Sequence, residues 1–342
     1  MKILLNGKDH EITQGASVAA LLEGLGIHPT MAAVDVNGEL VRRDARTAHV
    51  LAEGDKVEVV RMIAGGRGAS EGRPLQAPGI LQAPRDRPLV IAGRSFQSRL
   101  LLGTGRYPSH EHMRRCHLAG GTQIVTLAVG RHDLSAPGGA NILDFIDRTS
   151  LTLLPNTAGA YTPREAVRLA KLSRDLLETD WIKLEVLSDQ QTLWPDTAGT
   201  LAACRELVKD GFTVLAYTTD DPVVARRLED EGAAAIMPLG SMIGSGQGVL
   251  NPLNLRLIKA RAGIPVVCDA GIGCASDAAI AMELGLDAVL CNTAVAQAQD
   301  PEAMAEAIKL AVQAGRLSHL AGRIPRHDHA EASSRGAGLG NA

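Results

Sequence analysis

The sequence predicts an α/β protein in two parts, a (β/α)8 barrel preceded by a small mixed-sheet module. Three observations carry this reading. The 342 residues suit two domains, or one large barrel with an appendage, at about 150 residues per domain. From residue 89 onward short β-rich runs alternate with helical stretches, the pattern of a parallel sheet covered by helices. Aromatic residues are scarce, with 3 Phe, 3 Tyr and 2 Trp, so the core must be built from Ala, Leu, Ile and Val. Such a core suits parallel strands buried on both faces.

Element by element, Lys2–Leu5 reads as a strand that turns at Asn6-Gly7 into a second strand, an Asn-Gly hairpin signal. Ser17 caps a helix over Val18–Leu25, in which Val18, Leu21, Leu22 and Leu25 fall on one face. A strand over Ala32–Val36 meets Asn37-Gly38 and returns at Glu39–Val41. The last strand, Lys56–Met62, alternates before the chain runs into Ile63-Ala64-Gly65-Gly66. This order gives residues 1–66 the signature of a ubiquitin-like β-grasp module. Residues 67–88 break the pattern with Gly68, Gly72, Gly79, Pro74, Pro78, Pro84, Pro88 and Ser70, and read as a flexible linker.

In residues 89–342 the β-rich runs are Arg99–Leu102, Gln123–Ala128, Leu151–Leu154, Trp181–Val186, Thr213–Ala216, Ala234–Met237, Pro265–Cys268 and Ala288–Cys291. Helical patterns between them include Pro163–Leu177, Thr197–Lys209, Pro222–Asp230, Ser276–Glu283 and Pro301–Ala314. Pro163, Pro222 and Pro301 sit at helix starts, where a missing N–H costs nothing. Eight such units point to a barrel with a polar C-terminal tail. An open doubly wound sheet is the structural rival, but no GxGxxG follows the first strand.

Several function classes are disfavoured. Lys plus Arg number 35 against 38 Asp plus Glu, a net charge of −3, so no strong field invites nucleic acid. Eight aromatics are too few for a base-stacking surface. No apolar run approaches the ~20 residues of a spanning helix, and the N-terminus lacks a signal-peptide pattern. A cytoplasmic protein without a membrane partner is expected. The five cysteines (116, 204, 268, 274, 291) are odd in number and show no CxxC, which argues for reduced thiols rather than disulfides or a zinc site. The histidines show no HExxH, and His327 and His329 read as part of a solvated tail. No metal and no cofactor is expected.

In a (β/α)8 barrel the chemistry lies at the C-terminal ends of the strands. Period-two alternation in the fourth strand puts Lys183 and Glu185 on one face, opposite Ile182 and Leu184. A lysine facing the lumen is desolvated, which lowers its pKa, and a neutral amine attacks a ketone to form a Schiff base. The competing reading is a surface lysine paired with Glu185 at the strand rim. The seventh strand ends in Asp269-Ala270-Gly271-Ile272-Gly273, where Asp269 is either an acid/base group or a loop cap. The sixth loop, Pro238 to Gly248, the seventh, Ala270-Gly271, and the eighth, Asn292-Thr293, resemble anion cradles, although glycines also mark ordinary turns. Cys268 and Cys291 flank this region and read as small core residues. The third strand ends in a polar rim, Leu154 to Gly159.

Taken together, these motifs resemble a known pair. LLLGTGRYPS (100–109), LLPNTAGAYTPREAVRLA (153–170), DWIKLEV (180–186), MPLGSMIGSGQG (237–248), VVCDAGIG (266–273) and CNTAVAQAQDP (291–301) resemble the thiazole synthase family of thiamine biosynthesis. Residues 1–66 are similar to that family's small sulfur carrier with a Gly-Gly end, so the chain resembles a natural fusion of the two. The resemblance implies condensation of 1-deoxy-D-xylulose 5-phosphate, dehydroglycine and the sulfur of a carrier thiocarboxylate into the thiazole phosphate of thiamine. It places the Schiff-base lysine on Lys183 and the acid/base carboxylates on Glu185 and Asp269. Substrate contacts fall on Gly244, Ala270, Gly271, Asn292 and Thr293, and the carrier terminus on Gly65 and Gly66. The implied partners are a carrier-adenylating enzyme and a glycine oxidase or tyrosine lyase supplying dehydroglycine, and a homo-oligomer is expected.

Two departures stand out. Gly130-Arg131 replaces a pair of arginines after the second strand, and Ala160 stands where relatives often have Cys. Two alternatives to this function are an aldolase acting on another phosphosugar through a Schiff base, and a carrier tethered to a catalytically silent barrel used as a scaffold. The Gly65-Gly66 end and the intact Lys183, Glu185 and Asp269 favour the synthase.

Overall fold

Two Asn-Gly turns shape the first sheet. Asn6-Gly7 and Asn37-Gly38 both have positive φ at each residue, the geometry of a tight hairpin that asparagine and glycine tolerate. The computed structural model describes residues 1–27, 32–61, 86–128 and 142–330. The chain divides into two compact units, Met1–Ala77 with Pro325–Ala342, and Pro78–Ile324.

In the first unit, β1 (Lys2–Leu5), β2 (Lys8–Glu11), α1 (Val18–Gly24), β3 (Ala32–Val36), β4 (Glu39–Leu40) and β5 (Lys56–Arg61) form one mixed sheet crossed by one helix. The strand order is β2-β1-β5-β3-β4, with β1 and β5 parallel at the centre. Ser17 accepts the N–H of Ala20 and starts α1. Val18, Leu21 and Leu22 of α1 then pack on Ile3, Val34 and Val57 of the sheet. This is the β-grasp expected from the sequence, with helix and strand ends displaced by a residue. Gly65, Gly66 and most of the expected linker lie outside the described residues.

The second unit opens with a hairpin that the alternation did not announce, β6 (Leu89–Ile91) and β7 (Arg94–Phe96). The barrel follows as β8 (Leu100–Gly103), β9 (Ile124–Ala128), β10 (Thr152–Asn156), β11 (Trp181–Leu184), β12 (Thr213–Thr218), β13 (Ala235–Pro238), β14 (Val267–Asp269) and β15 (Ala288–Cys291). All neighbouring pairs are parallel, and the bridges Ile236↔Val266 and Leu239↔Asp269 close β13 onto β14.

Around the barrel run α2 (His110–Gly120), α3 (Pro163–Leu177), α4 (Thr197–Lys209), α5 (Pro222–Asp230), α6 (Pro252–Arg261), α7 (Ala275–Glu283), α8 (Thr293–Ala296) and α9 (Pro301–Ala321). Thr162, Asp221, Asn251 and Asp300 each cap a helix whose first residue is proline. No helix among the described residues is long and apolar enough to cross a membrane.

The period-two alternation sorts β11 as expected. Ile182, Leu184 and Val186 join an outer apolar layer with Ala166, Val167, Ala203 and Leu207 of α3 and α4. Trp181 faces inward, with Leu101, Ile124, Leu154, Leu215 and Val267, onto the Leu89, Ile91 and Phe96 of the hairpin. The hairpin therefore floors the lumen, and the site can open only at the other end. Phe96 packs edge-on to Trp181 at 5.9 Å, with the Arg94 guanidinium over both rings. Phe96→Ala is expected to cost about 3–5 kcal/mol, as for other truncated core aromatics. Urea denaturation checks this, and an unchanged midpoint would remove the hairpin from the core.

One helix runs further than its sequence suggests. The expected end at Ala314 precedes Gly315. Gly315 instead sits inside α9, and a side chain there would stand 2.5 Å from the carbonyl oxygen of Ala279 on α7. The glycine serves close helix packing, and Gly322, at φ 76°, ends the helix.

Candidate active site

Lys183 and Glu185 point into the upper lumen from β11 and its continuation, and Asp269 joins them from the end of β14. Lys183 Nζ lies 2.8 Å from Glu185 Oε1 and 2.7 Å from Asp269 Oδ2. All three are buried, at 5%, 4% and 2% exposure. Lys183 is thus no surface lysine at a strand rim, although it does pair with Glu185.

Its ionisation differs from the sequence expectation. Burial alone pushes the Lys183 ammonium toward neutrality, but the carboxylates of Asp269 and Glu185 outweigh burial and hold its pKa above the usual lysine range. One ammonium between two carboxylates leaves an excess negative charge in a buried site. Burial accordingly pushes the Asp269 carboxyl up against the pull of Lys183, so the cluster favours one further proton. The resting lysine is an ammonium, and a free amine requires that its proton move within this cluster.

Three residues outside the expected set shape it. The ladder of β11 stops at Leu184, and the fully buried Thr157 takes over. Its N–H donates to the Lys183 carbonyl at 3.1 Å, its Oγ1 accepts the Glu185 N–H at 2.8 Å, and its hydroxyl donates to the Glu185 carbonyl at 2.7 Å. Thr157 therefore fixes the backbone of the acidic residue. Tyr217 of β12 lies with its ring centroid 5.3 Å from Lys183 Nζ, a cation–π contact inside the protein. Asn156, in register with Lys183, lines the cavity beside it. The signal for Thr157 was the polar rim at the end of the third strand; Tyr217 had none.

The cluster opens on a cavity of about 1400 Å³ walled by the loops after the first, sixth, seventh and eighth strands. Gly244, Ala270, Gly271, Asn292 and Thr293 all line it. Ala270 has φ 63°, left-handed for a residue with a side chain, and Gly271 follows at φ 81°. A side chain on Gly271 would fall 2.0 Å from Ser241 Oγ, so only glycine lets the sixth and seventh loops approach. The Gly271 carbonyl accepts the Gly248 N–H at 2.8 Å, and that of Asp269 accepts the Gly240 N–H at 3.1 Å. The N–H groups of Gly244 and Gly271 find no acceptor among the described residues. A side chain on Gly244 would stand 3.9 Å from Thr293 Oγ1, so the sixth and eighth loops also adjoin. Asn292 donates through Nδ2 to the Gly105 carbonyl at 3.0 Å and leaves a buried Oδ1 without a partner.

The thiols do not compete for a catalytic role. Burial pushes Cys291, which lines the cavity, up to about 12, and Cys268 higher still, so neither is a thiolate near neutrality. Ala160 is wholly buried in the outer apolar layer with Ile182 and Leu184, away from the lumen. Gly130 and Arg131 lie outside the described residues. Among the described residues no three His, Cys, Asp or Glu gather into a group that could hold a metal ion. Chemically, the arrangement offers an amine, two carboxylates to move its proton, and unpaired N–H groups facing a roomy cavity.

Residues 90–335 match the family described as thiazole biosynthesis protein ThiG, and residues 3–66 match the ThiS family. A thiazole synthase of Myxococcus xanthus is 58% identical over 250 residues, covering 73% of this chain and 96% of the relative. One from Paramagnetospirillum magneticum is 45% identical over 339 residues, 99% of this chain and all of the relative, so that match runs through both units. The crystal structure of the Amycolatopsis orientalis BexX/CysO complex includes a chain with TM-score 0.64 and 35% identity, covering 71% of this chain and 100% of its own length.

Proposed function

Because this chain belongs to the ThiG family of thiazole biosynthesis proteins, with a ThiS-family region ahead of the barrel, we propose that it is a thiazole synthase with a fused sulfur carrier. The observation that carries the reading is a lumen lysine held between two carboxylates, at 2.8 and 2.7 Å, on the wall of a large cavity. In this reading the substrates are 1-deoxy-D-xylulose 5-phosphate, dehydroglycine and a carrier thiocarboxylate. Lys183 gives a proton to the cluster, and the free amine attacks the ketone carbon. The carbinolamine then loses the ketone oxygen as water and leaves a C=N bond to Nζ. The imine draws electrons from the adjacent carbon, so Asp269 or Glu185 can remove a proton there. Gly244, Ala270, Gly271 and Thr293 would cradle the phosphate, and the unpaired Oδ1 of Asn292 would accept a substrate hydroxyl. Ketose phosphate, freshly made dehydroglycine and thiocarboxylated carrier should together yield a thiazole phosphate by mass spectrometry. Turnover of the ketose without the other two would favour an aldolase, and no reaction at all a silent scaffold.

The fusion raises a chemical problem. A carrier of this type is activated by adenylation of a terminal glycine carboxylate, yet the Gly66 carbonyl is held in an amide to Arg67. Residues 67–88, rich in Gly and Pro, are the kind of segment proteases reach, and the side-chain-free Gly65-Gly66 leaves a cleaving or adenylating site unobstructed. The working form is then two pieces, 1–66 and 67–342, that remain able to associate. Intact-mass analysis of protein from the native host is expected to find both. A single uncut species that makes thiazole, with Gly66→Ala fully active, would show that sulfur arrives by another route.

A further inference from the structure

We propose that Arg106 is the charge partner of the substrate's terminal phosphate, and that it makes the site prefer a phosphorylated ketose to its unphosphorylated counterpart. The inference rests on the function proposed above, and it concerns a residue with no role in the sequence reading beyond membership of a motif. Arg106 lies on the loop after β8 and lines the same cavity as Lys183. It is exposed and makes no ion pair or side-chain hydrogen bond among the described residues. Among the described residues the other lysine or arginine on that wall is Lys183, and its charge is already committed to Glu185 and Asp269. Those three groups together carry one positive and two negative charges when ionised. Even with the further proton the cluster favours they carry no net positive charge to offer a phosphate dianion, and the cradle loops offer it backbone N–H groups and a hydroxyl but no cation. Arg106 supplies the missing charge, with a planar fork that suits phosphate oxygens.

The backbone places that charge beside the cradle. Arg106 has φ 67°, an uncommon left-handed conformation for a residue with a side chain, which persists only where neighbours enforce it. The preceding residue supplies the restraint: the Gly105 carbonyl accepts a hydrogen bond from Asn292 Nδ2 at 3.0 Å. Two residues earlier, a side chain on Gly103 would stand 2.6 Å from Asn292 Cβ, so the first loop is pressed against the eighth. The strained residue is thus anchored next to Asn292, whose chain neighbour Thr293 belongs to the proposed phosphate cradle, and among the described residues its side chain makes no ion pair or hydrogen bond that would hold it back.

Cyanoborohydride trapping of the Lys183 imine tests the inference in the full-length chain, with each ketose supplied separately. Arg106→Gln should raise the concentration of 1-deoxy-D-xylulose 5-phosphate needed for half-maximal trapping by about 10- to 100-fold, the scale of a lost charge-assisted contact. Trapping of unphosphorylated 1-deoxy-D-xylulose should be the same in variant and wild type, and Arg106→Lys should recover part of the loss. Melting temperature should not move, because the side chain is exposed. An equal loss with both ketoses would reduce Arg106 to a loop-shaping residue and overturn the inference. So would unchanged trapping of the phosphorylated ketose. Failure of the wild-type chain to form an adduct with the phosphorylated ketose would overturn the proposed function itself, a different result from any of these.

Discussion

Lys183→Arg is expected to leave a folded barrel that makes no thiazole, a fall of about 10³-fold or more, on the scale of losing a nucleophile. A guanidinium cannot be deprotonated in a protein, so it can neither attack a ketone nor pass a proton to Asp269. It does keep a positive charge between Glu185 and Asp269, which now face Lys183 at 2.8 and 2.7 Å. The alanine variant lacks that compensation. It leaves two buried carboxylates beside each other and should lose about 3–5 kcal/mol of stability, as when one partner of a buried pair is removed. Product formation and melting temperature, measured on both variants, separate chemistry from folding. Thiazole formation by the arginine variant at a rate near wild type would exclude an imine at this position.

Asp269→Asn divides the reaction differently. The Asp269 carboxylate is the foremost influence holding the Lys183 ammonium above the usual lysine range against burial. Removing its charge lowers that pKa, so the amine becomes available at lower pH, and Glu185 remains 2.8 Å away to accept the proton. Imine formation should therefore survive, with its pH profile moved toward lower pH. Thiazole formation should fall by about 10²–10⁴-fold, the usual value of general acid–base help, because proton transfers after the imine lose their base. An asparagine variant within a few-fold of wild type in turnover would remove Asp269 from the mechanism. An unmoved pH profile for imine formation would contradict the electrostatic account of Lys183.

Much of this site could be read from local pattern because its parts obey local rules. Alternation in a short strand put Lys183 and Glu185 on the face opposite Ile182 and Leu184, and the apolar layer under α3 and α4 receives Ile182, Leu184 and Val186. Helices that begin at Pro163 and Pro222 end where their periodicity ends, at Leu177 and Asp230. What sequence could not supply are consequences of closure. The ionisation of Lys183 depends on Asp269, three strands away around the barrel, and burial judged from one strand predicts the opposite shift. The Leu89–Phe96 hairpin is apolar enough to pass for another strand, and only the closed lumen reveals it as a floor. Thr157 looked like part of a polar rim, and its two bonds to the Glu185 backbone exist only once β10 and β11 are in register. Gly315 shows the same limit, since what calls for a glycine there is the backbone of a neighbouring helix.

The proposed chemistry centres on one covalent bond, between Lys183 Nζ and the ketone carbon of the sugar. Borohydride reduction of the full-length chain with 1-deoxy-D-xylulose 5-phosphate, followed by peptide mapping, measures that bond. The predicted result is a single stable adduct on the peptide carrying Lys183, absent without the sugar and absent from Lys183→Arg. An adduct on another lysine, or none while thiazole is still produced, would contradict it.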